Sequence, residues 1–214
     1  MSNDGLINRV YVATGVVWLF HISAIIGITL GHVDWFIEKT PLNLSLCLIL
    51  FLLVYPIRTK KQAVGFLVFF LGGMFAEWLG VKYGLLFGTY EYGNNFGPKL
   101  DGVPFLIGTY WALLTFATAS IVDYISKSTI VKIIIAALLM TLLDYFMEHS
   151  AARFDFWRFE GDLAPIQNYI TWFILALLFQ GILSYLKTAG NRFFSLNLYL
   201  AQLVFFVYFY FLKV

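Results

Sequence analysis

Glu77, Asp144 and Glu148 lie in or at the end of long apolar runs, where an ionised side chain costs at least about 2.5–3.5 kcal/mol. An acid at that depth faces the interior of a bundle by default, the structural alternative being a pair with Lys82 or Arg153 near the interface. Asp144 and Glu148 stand four residues apart on one helical face, close enough to share a proton. An acid would then sit beside a base, as protonating or deprotonating an unactivated substrate requires. His149 follows Glu148, but His21 and His32 are the only other histidines, and no HxxxH or HExxH element occurs. A histidine-rich di-iron centre therefore lacks its ligands, and a lone zinc site has little more in its favour. No metal is expected. A prenyltransferase would need two Asp-rich diphosphate clusters, of which Asp144 with Glu148 is at best one. A retinal pigment would need a lysine in the last apolar run, 193–212, which has none.

Two segments bring aromatic rings to the same end as these acids. Residues 84–103 carry Phe87, Tyr90, Glu91 and Tyr92 among turn-forming glycines and prolines, and read as a shaped lid rather than as interfacial aromatic decoration alone. Residues 150–168 alternate charge with rings; most of those charges read as a solvated surface, whereas Trp157, with Trp172 just beyond, offers electron-rich faces that steady a cation. Asn168 reads equally as part of a site or as the N-cap of the next helix. A weak repeat links the segments: Phe87, Tyr90 and Pro98 follow Glu77 at the spacings at which Phe154, Trp157 and Pro165 follow Asp144. Such units would share an orientation and face each other across one cavity.

The elements that must hold these residues are membrane helices. Hydrophobic residues make up 61% of the 214-residue chain and charged ones 12%, against roughly 45–50% and 25% in soluble domains. Apolar runs cover 10–30, 42–57, 64–83, 104–122, 130–149, 169–186 and 193–212, each near bilayer length. The expectation is an all-α, polytopic transmembrane bundle of about seven spans, forming a single domain over 1–214 with its catalytic region at about 64–186. Arg9, Arg58, Lys60, Lys61, Lys127, Lys132, Lys187 and Arg192 would share one side, favouring a multi-pass protein of the cell membrane with a cytoplasmic N-terminus. No removable signal peptide is expected. A net charge of +2 with scattered basic residues gives no footprint for nucleic acid, and membrane lipid is the expected partner. Cys47 reads as packing, His21 as a satisfied interior histidine, and Gly72, Gly73, Gly80 and Gly84 as places where a helix or a rigid polyene approaches closely.

Glu77-Trp78-Leu79-Gly80, the run Phe87-Gly88-Thr89-Tyr90-Glu91-Tyr92, Gly97-Pro98 with Gly102-Val103-Pro104, and Asp144 followed by Phe156-Trp157, Pro165, Asn168-Tyr169 and Trp172-Phe173 together resemble the membrane-integral carotenoid hydratase family, the CruF-type carotenoid 1,2-hydratases. The resemblance spans about residues 77–173. It implies a carotenoid substrate, cofactor-free addition of water to the terminal double bond of an acyclic ψ-end, and other enzymes of carotenoid biosynthesis as partners. On that reading Asp144 is the acid, Glu148 or Glu77 holds and deprotonates the water, and Trp78, Tyr90, Tyr92 and Trp157 line the cation pocket, with Phe87, Glu91, Asn168 and Trp172 also against the substrate.

Two other functions use much of the same inventory. A flavin-independent membrane lycopene cyclase begins with the same protonation but captures the cation with an internal alkene, in a drier pocket. The charges of Glu91, Asp101 and 155–162 near the acids favour water. A carotenoid or lipid carrier would use the rings and glycines but has no need of buried acids.

Overall fold

In the computed structural model, residues 3–55, 57, 59–187 and 190–212 are described; Arg58, one of the loop cations above, lies outside them. The chain folds as α1 (Asn3–Thr29), a short α2 (Val33–Ile37), α3 (Thr40–Val54), α4 (Lys60–Tyr83), β1 (Tyr90–Tyr92), β2 (Lys99–Leu100), β3 (Val103–Pro104), α5 (Phe105–Val122), α6 (Thr129–Ala151), β4 (Trp157–Phe159), α7 (Ile166–Leu186) and α8 (Arg192–Phe211). Among the described residues, seven helical segments are long and apolar enough to cross a membrane, with α2 and α3 counting together as one. The protein is thus an all-α multi-pass bundle. The four short strands are an addition to the expected helices and loops: β1 pairs with β4, and β2 with β3, both antiparallel.

Helix α5 is the axis of the bundle, packed against α3, α4, α6, α7 and α8. Its sequence explains its place. Gly108, Ala112, Ala117 and Ser120 keep it slim, so neighbouring backbones can approach. Its polar side chains are satisfied within the bundle, as hydrocarbon demands. Thr115 and Thr118 donate to carbonyls one turn back, and Gln180 of α7 donates to the Thr115 carbonyl at 3.0 Å and to Thr118 Oγ1 at 2.9 Å. At the end of α3 the Tyr55 hydroxyl joins Ser120 at 2.9 Å and also meets the Ser195 hydroxyl, tying α3, α5 and α8 together.

Helix α4 opens on a capping box formed by Thr59 and Gln62 and closes on Gly84, whose φ of 64° suits a residue without Cβ. The glycines along it receive protein rings: a Cβ at Gly72 would stand 3.0 Å from Phe179, one at Gly73 2.6 Å from Trp111, and one at Gly80 2.6 Å from Tyr90. Gly73→Val is accordingly expected to overpack this seam and cost roughly 1–3 kcal/mol, read as a lower thermal midpoint in detergent. A midpoint equal to wild type would show that Trp111 has room to retreat.

Candidate active site

Near one end of the bundle, two helices present three carboxylates to a common cavity. Glu77 comes from the last turns of α4, and Asp144 and Glu148 from successive turns of α6. Asn168 and Trp172 of α7 and Ile107 of α5 complete the helical walls. Phe87, from the loop after α4, reaches the same space.

The β1–β4 ribbon is its roof. Tyr90 stands opposite Phe159, Glu91 opposite Arg158, and Tyr92 opposite Trp157. Because side chains alternate along a strand, both strands bury their first and third residues and expose the middle one. Four rings therefore point down at the carboxylates, while Glu91 and Arg158 point out. The ribbon also joins the two repeat-related segments. Glu91 and Arg158, equivalent by spacing, face each other, while Tyr90, equivalent to Trp157, faces Phe159, and Trp157 faces Tyr92, the equivalent of Phe159.

The acids differ sharply in how they are held. Glu77 accepts three hydrogen bonds: from the Tyr90 hydroxyl, from the Tyr92 hydroxyl at 2.8 Å, and from Trp111 Nε1 at 2.9 Å. Burial, and then the neighbouring Glu77, push the Tyr90 and Tyr92 phenols well above their usual range, so both remain donors. Glu148 accepts from Trp157 Nε1 at 2.7 Å. The Asn168 amide bridges the α6 pair, donating to Asp144 Oδ2 and to Glu148 Oε1, each at 3.1 Å. Asp144, fully buried, keeps its other oxygen, Oδ1, without a hydrogen-bond partner. A buried oxygen left unpaired is rare and marks Asp144 out among the three acids. Above the carboxylates the cavity measures about 10 Å³, space for about one water. Trp111 and Trp172 stack beside it with centroids 3.8 Å apart.

Nine of the eleven residues named from the sequence line this cavity, and two stand apart from it. Glu77, Asp144, Glu148, Phe87, Tyr90, Tyr92, Trp157, Asn168 and Trp172 line it. Trp78 does not, because one helical residue turns the side chain by about 100°. It lies on the outer side of α4, donating to exposed Asp101 at 2.6 Å and packing against Phe75 and Tyr83. Glu91 is turned outward by the strand. Asp101, held below the usual carboxylate range by the Trp78 hydrogen bond and Lys82, is likewise a surface group. The surface charges said to bring water to the site therefore sit outside it. Trp78→Phe is expected to keep product formation within about twofold of wild type, as for a surface change worth about 0.5 kcal/mol or less; a much larger loss, measured on pigment extracts, would place Trp78 back in the site.

Three lining or supporting residues escaped the sequence reading: Ile107, Phe159 and Trp111. Trp111 carried a usable signal, since an indole N–H in mid-membrane must find an acceptor. His149 turns outward, its ring between those of Tyr145 and Tyr210, and among the described residues no three His, Cys, Asp or Glu side chains are grouped to hold a metal ion.

Buried carboxylates under an aromatic roof are what an acid–base site for an apolar molecule would need, and comparison with known proteins places the chain in carotenoid biosynthesis. The model of the carotenoid biosynthesis protein family matches residues 41–213, and the chain belongs to that family. It is similar to the bisanhydrobacterioruberin hydratase of Haloarcula japonica, with 25% identity over 129 residues, 56% of this chain and 44% of that protein. The chain thus spans under half the length of the curated relative it matches. No solved structure matches it.

Proposed function

We propose that the protein hydrates the terminal double bond of an acyclic carotenoid ψ-end, of the γ-carotene or lycopene type, giving a tertiary alcohol. The observation that carries this reading is the free Oδ1 of Asp144, in a cavity the size of a water and beneath electron-rich rings. Asp144 delivers its proton to the less substituted alkene carbon, leaving a tertiary cation on the other. The Tyr90, Tyr92, Trp157 and Trp172 rings and the Glu77 carboxylate steady that cation. A water oxygen then bonds to the cationic carbon, and Glu148 takes the proton the water loses. The Asn168 bridge keeps Glu148 beside Asp144, to which the proton returns, so the net change is one water added. Glu77, with both oxygens engaged, is the fixed counter-charge rather than the base. That the Haloarcula relative is named a hydratase supports the reaction type.

The closed roof favours one alternative, cyclisation, which begins with the same proton transfer and excludes water. Expression in cells that accumulate lycopene or γ-carotene, with pigments analysed by chromatography and mass spectrometry, separates the two. The expected product is heavier by one water per modified end. An isomer of unchanged mass would establish cyclisation, and unaltered pigment from a stably inserted protein would refute both.

A further inference from the structure

Beside the acid cavity lies a second, much larger one of about 340 Å³, bounded by α1, α2, α3, α5, α6 and α8, within the roughly 300–1,000 Å³ of small-molecule sites. We propose that it is the binding channel for the unreactive length of an isoprenoid hydrocarbon chain, entered sideways from the bilayer, with Ile107 as the gate through which the chain's end reaches Asp144. The inference rests on the hydration reading only for what happens to that end.

Four observations carry it. First, one side chain, Ile107 of α5, lines both cavities. Met147 lines the large cavity from the helix whose Asp144 and Glu148 line the small one. Second, the acid cavity has room for about one water, so an alkene must arrive from a neighbouring space, and a change of the Ile107 rotamer would join the two. Third, the rim residues Leu19, Trp35 and Leu42 are 61%, 59% and 58% exposed. On helices that cross a bilayer, such side chains face lipid, so the mouth opens to the phase in which a polyene dissolves.

The fourth observation concerns the walls. Among the described residues no acid lines the large cavity, Lys39 at its edge pairs with Glu38, and Thr40 donates to the Ile37 carbonyl at 2.7 Å. The His21 ring nitrogen Nδ1 lies 2.8 Å from the Val17 carbonyl, and the Tyr110 hydroxyl meets Gln202 Oε1 at 3.4 Å. A cavity that directs so little polar chemistry at its occupant suits a hydrocarbon. It also confines protonation to the tip beyond Ile107, leaving the conjugated length untouched.

Lycopene is the probe, and the full chain in lipid nanodiscs is the sample. Held in a chiral site, this achiral polyene acquires visible-band circular dichroism; dissolved in the surrounding lipid it has none. Wild type and Asp144→Asn are both expected to show the band. Ala24→Trp, which fills the channel from α1 far from the carboxylates, is expected to weaken binding by at least about tenfold and to lose product in parallel. A band and titration midpoint equal to wild type in well-folded Ala24→Trp would overturn the proposal. Should that variant fail to fold, Ser23→Cys at the rim decides: lycopene is expected to slow its labelling by a maleimide, relative to the parent with buried Cys47 only. Unchanged labelling would overturn the channel. A band that Ala24→Trp removes, from a wild type that yields no water adduct, would support the channel while refuting hydration.

Discussion

Asp144→Asn is expected to lower product formation by roughly 10²–10⁴-fold, the range for a positioned general acid, in a protein that still inserts and folds. The substitution is nearly isosteric, and the local hydrogen bonding tolerates it. Asp144 accepts one bond, from Asn168 to Oδ2, and the new amide can keep its oxygen there and place its NH₂ where Oδ1 had no partner. Stability should therefore change little, while the proton that starts the reaction is gone. The control is Asn168→Leu, which removes the bridge but no acid, and is expected to reduce turnover less because Asp144 retains its proton. Pigment analysis together with thermal unfolding of each variant separates the cases. Equal product from wild type and Asp144→Asn would sink the acid assignment, and loss of both product and fold would move Asp144 to a structural role.

The parts of this site visible in the sequence were those that hydrocarbon makes expensive. Glu77, Asp144 and Glu148 stood out because ionisable groups do not drift into membrane helices at random, and the spans stood out by length and apolarity. What sequence hid was direction. Trp78 adjoins Glu77 in the chain, yet the helical turn sends it to the outer surface. Glu91 sits between two site tyrosines, but three-residue strands carry too weak a pattern to be read, so its outward turn appeared only with the β1–β4 pairing. The repeat was the exception: spacing alone aligned Tyr90 with Trp157, and the ribbon brings those segments together. The large cavity had only a weak mark in the sequence, the scarcity of polar side chains along 10–57 and 193–212 that suits a scaffold or a tunnel wall, because its walls come from six helices and consist of residues that any membrane bundle contains.

Glu77→Gln is expected to act through the roof rather than through the proton. An amide keeps one acceptor oxygen where the carboxylate offers two, so it cannot serve Trp111 on one side and the two tyrosines on the other. If its oxygen turns to Trp111, the Tyr90 and Tyr92 hydroxyls meet an NH₂ group, Tyr90 keeping only its longer bond to the Glu77 carbonyl at 3.3 Å and Tyr92 losing the carboxylate it donates to. The cost should be about 1.5–3 kcal/mol, the range for hydrogen bonds to a charged group, appearing as a lower thermal midpoint and a more mobile ribbon. Tyr92→Phe supplies the test of mechanism. In wild type it removes one donor from Glu77 and should cost about 1 kcal/mol or more. In the Glu77→Gln background that donor is already frustrated, so the same change should cost much less, leaving a coupling energy of roughly 0.5–3 kcal/mol. Turnover should fall in step with stability and less steeply than in Asp144→Asn. A Glu77→Gln protein with the wild-type melting curve and no product would instead make Glu77 a proton carrier, and additive effects of the two substitutions would break the link between carboxylate and roof.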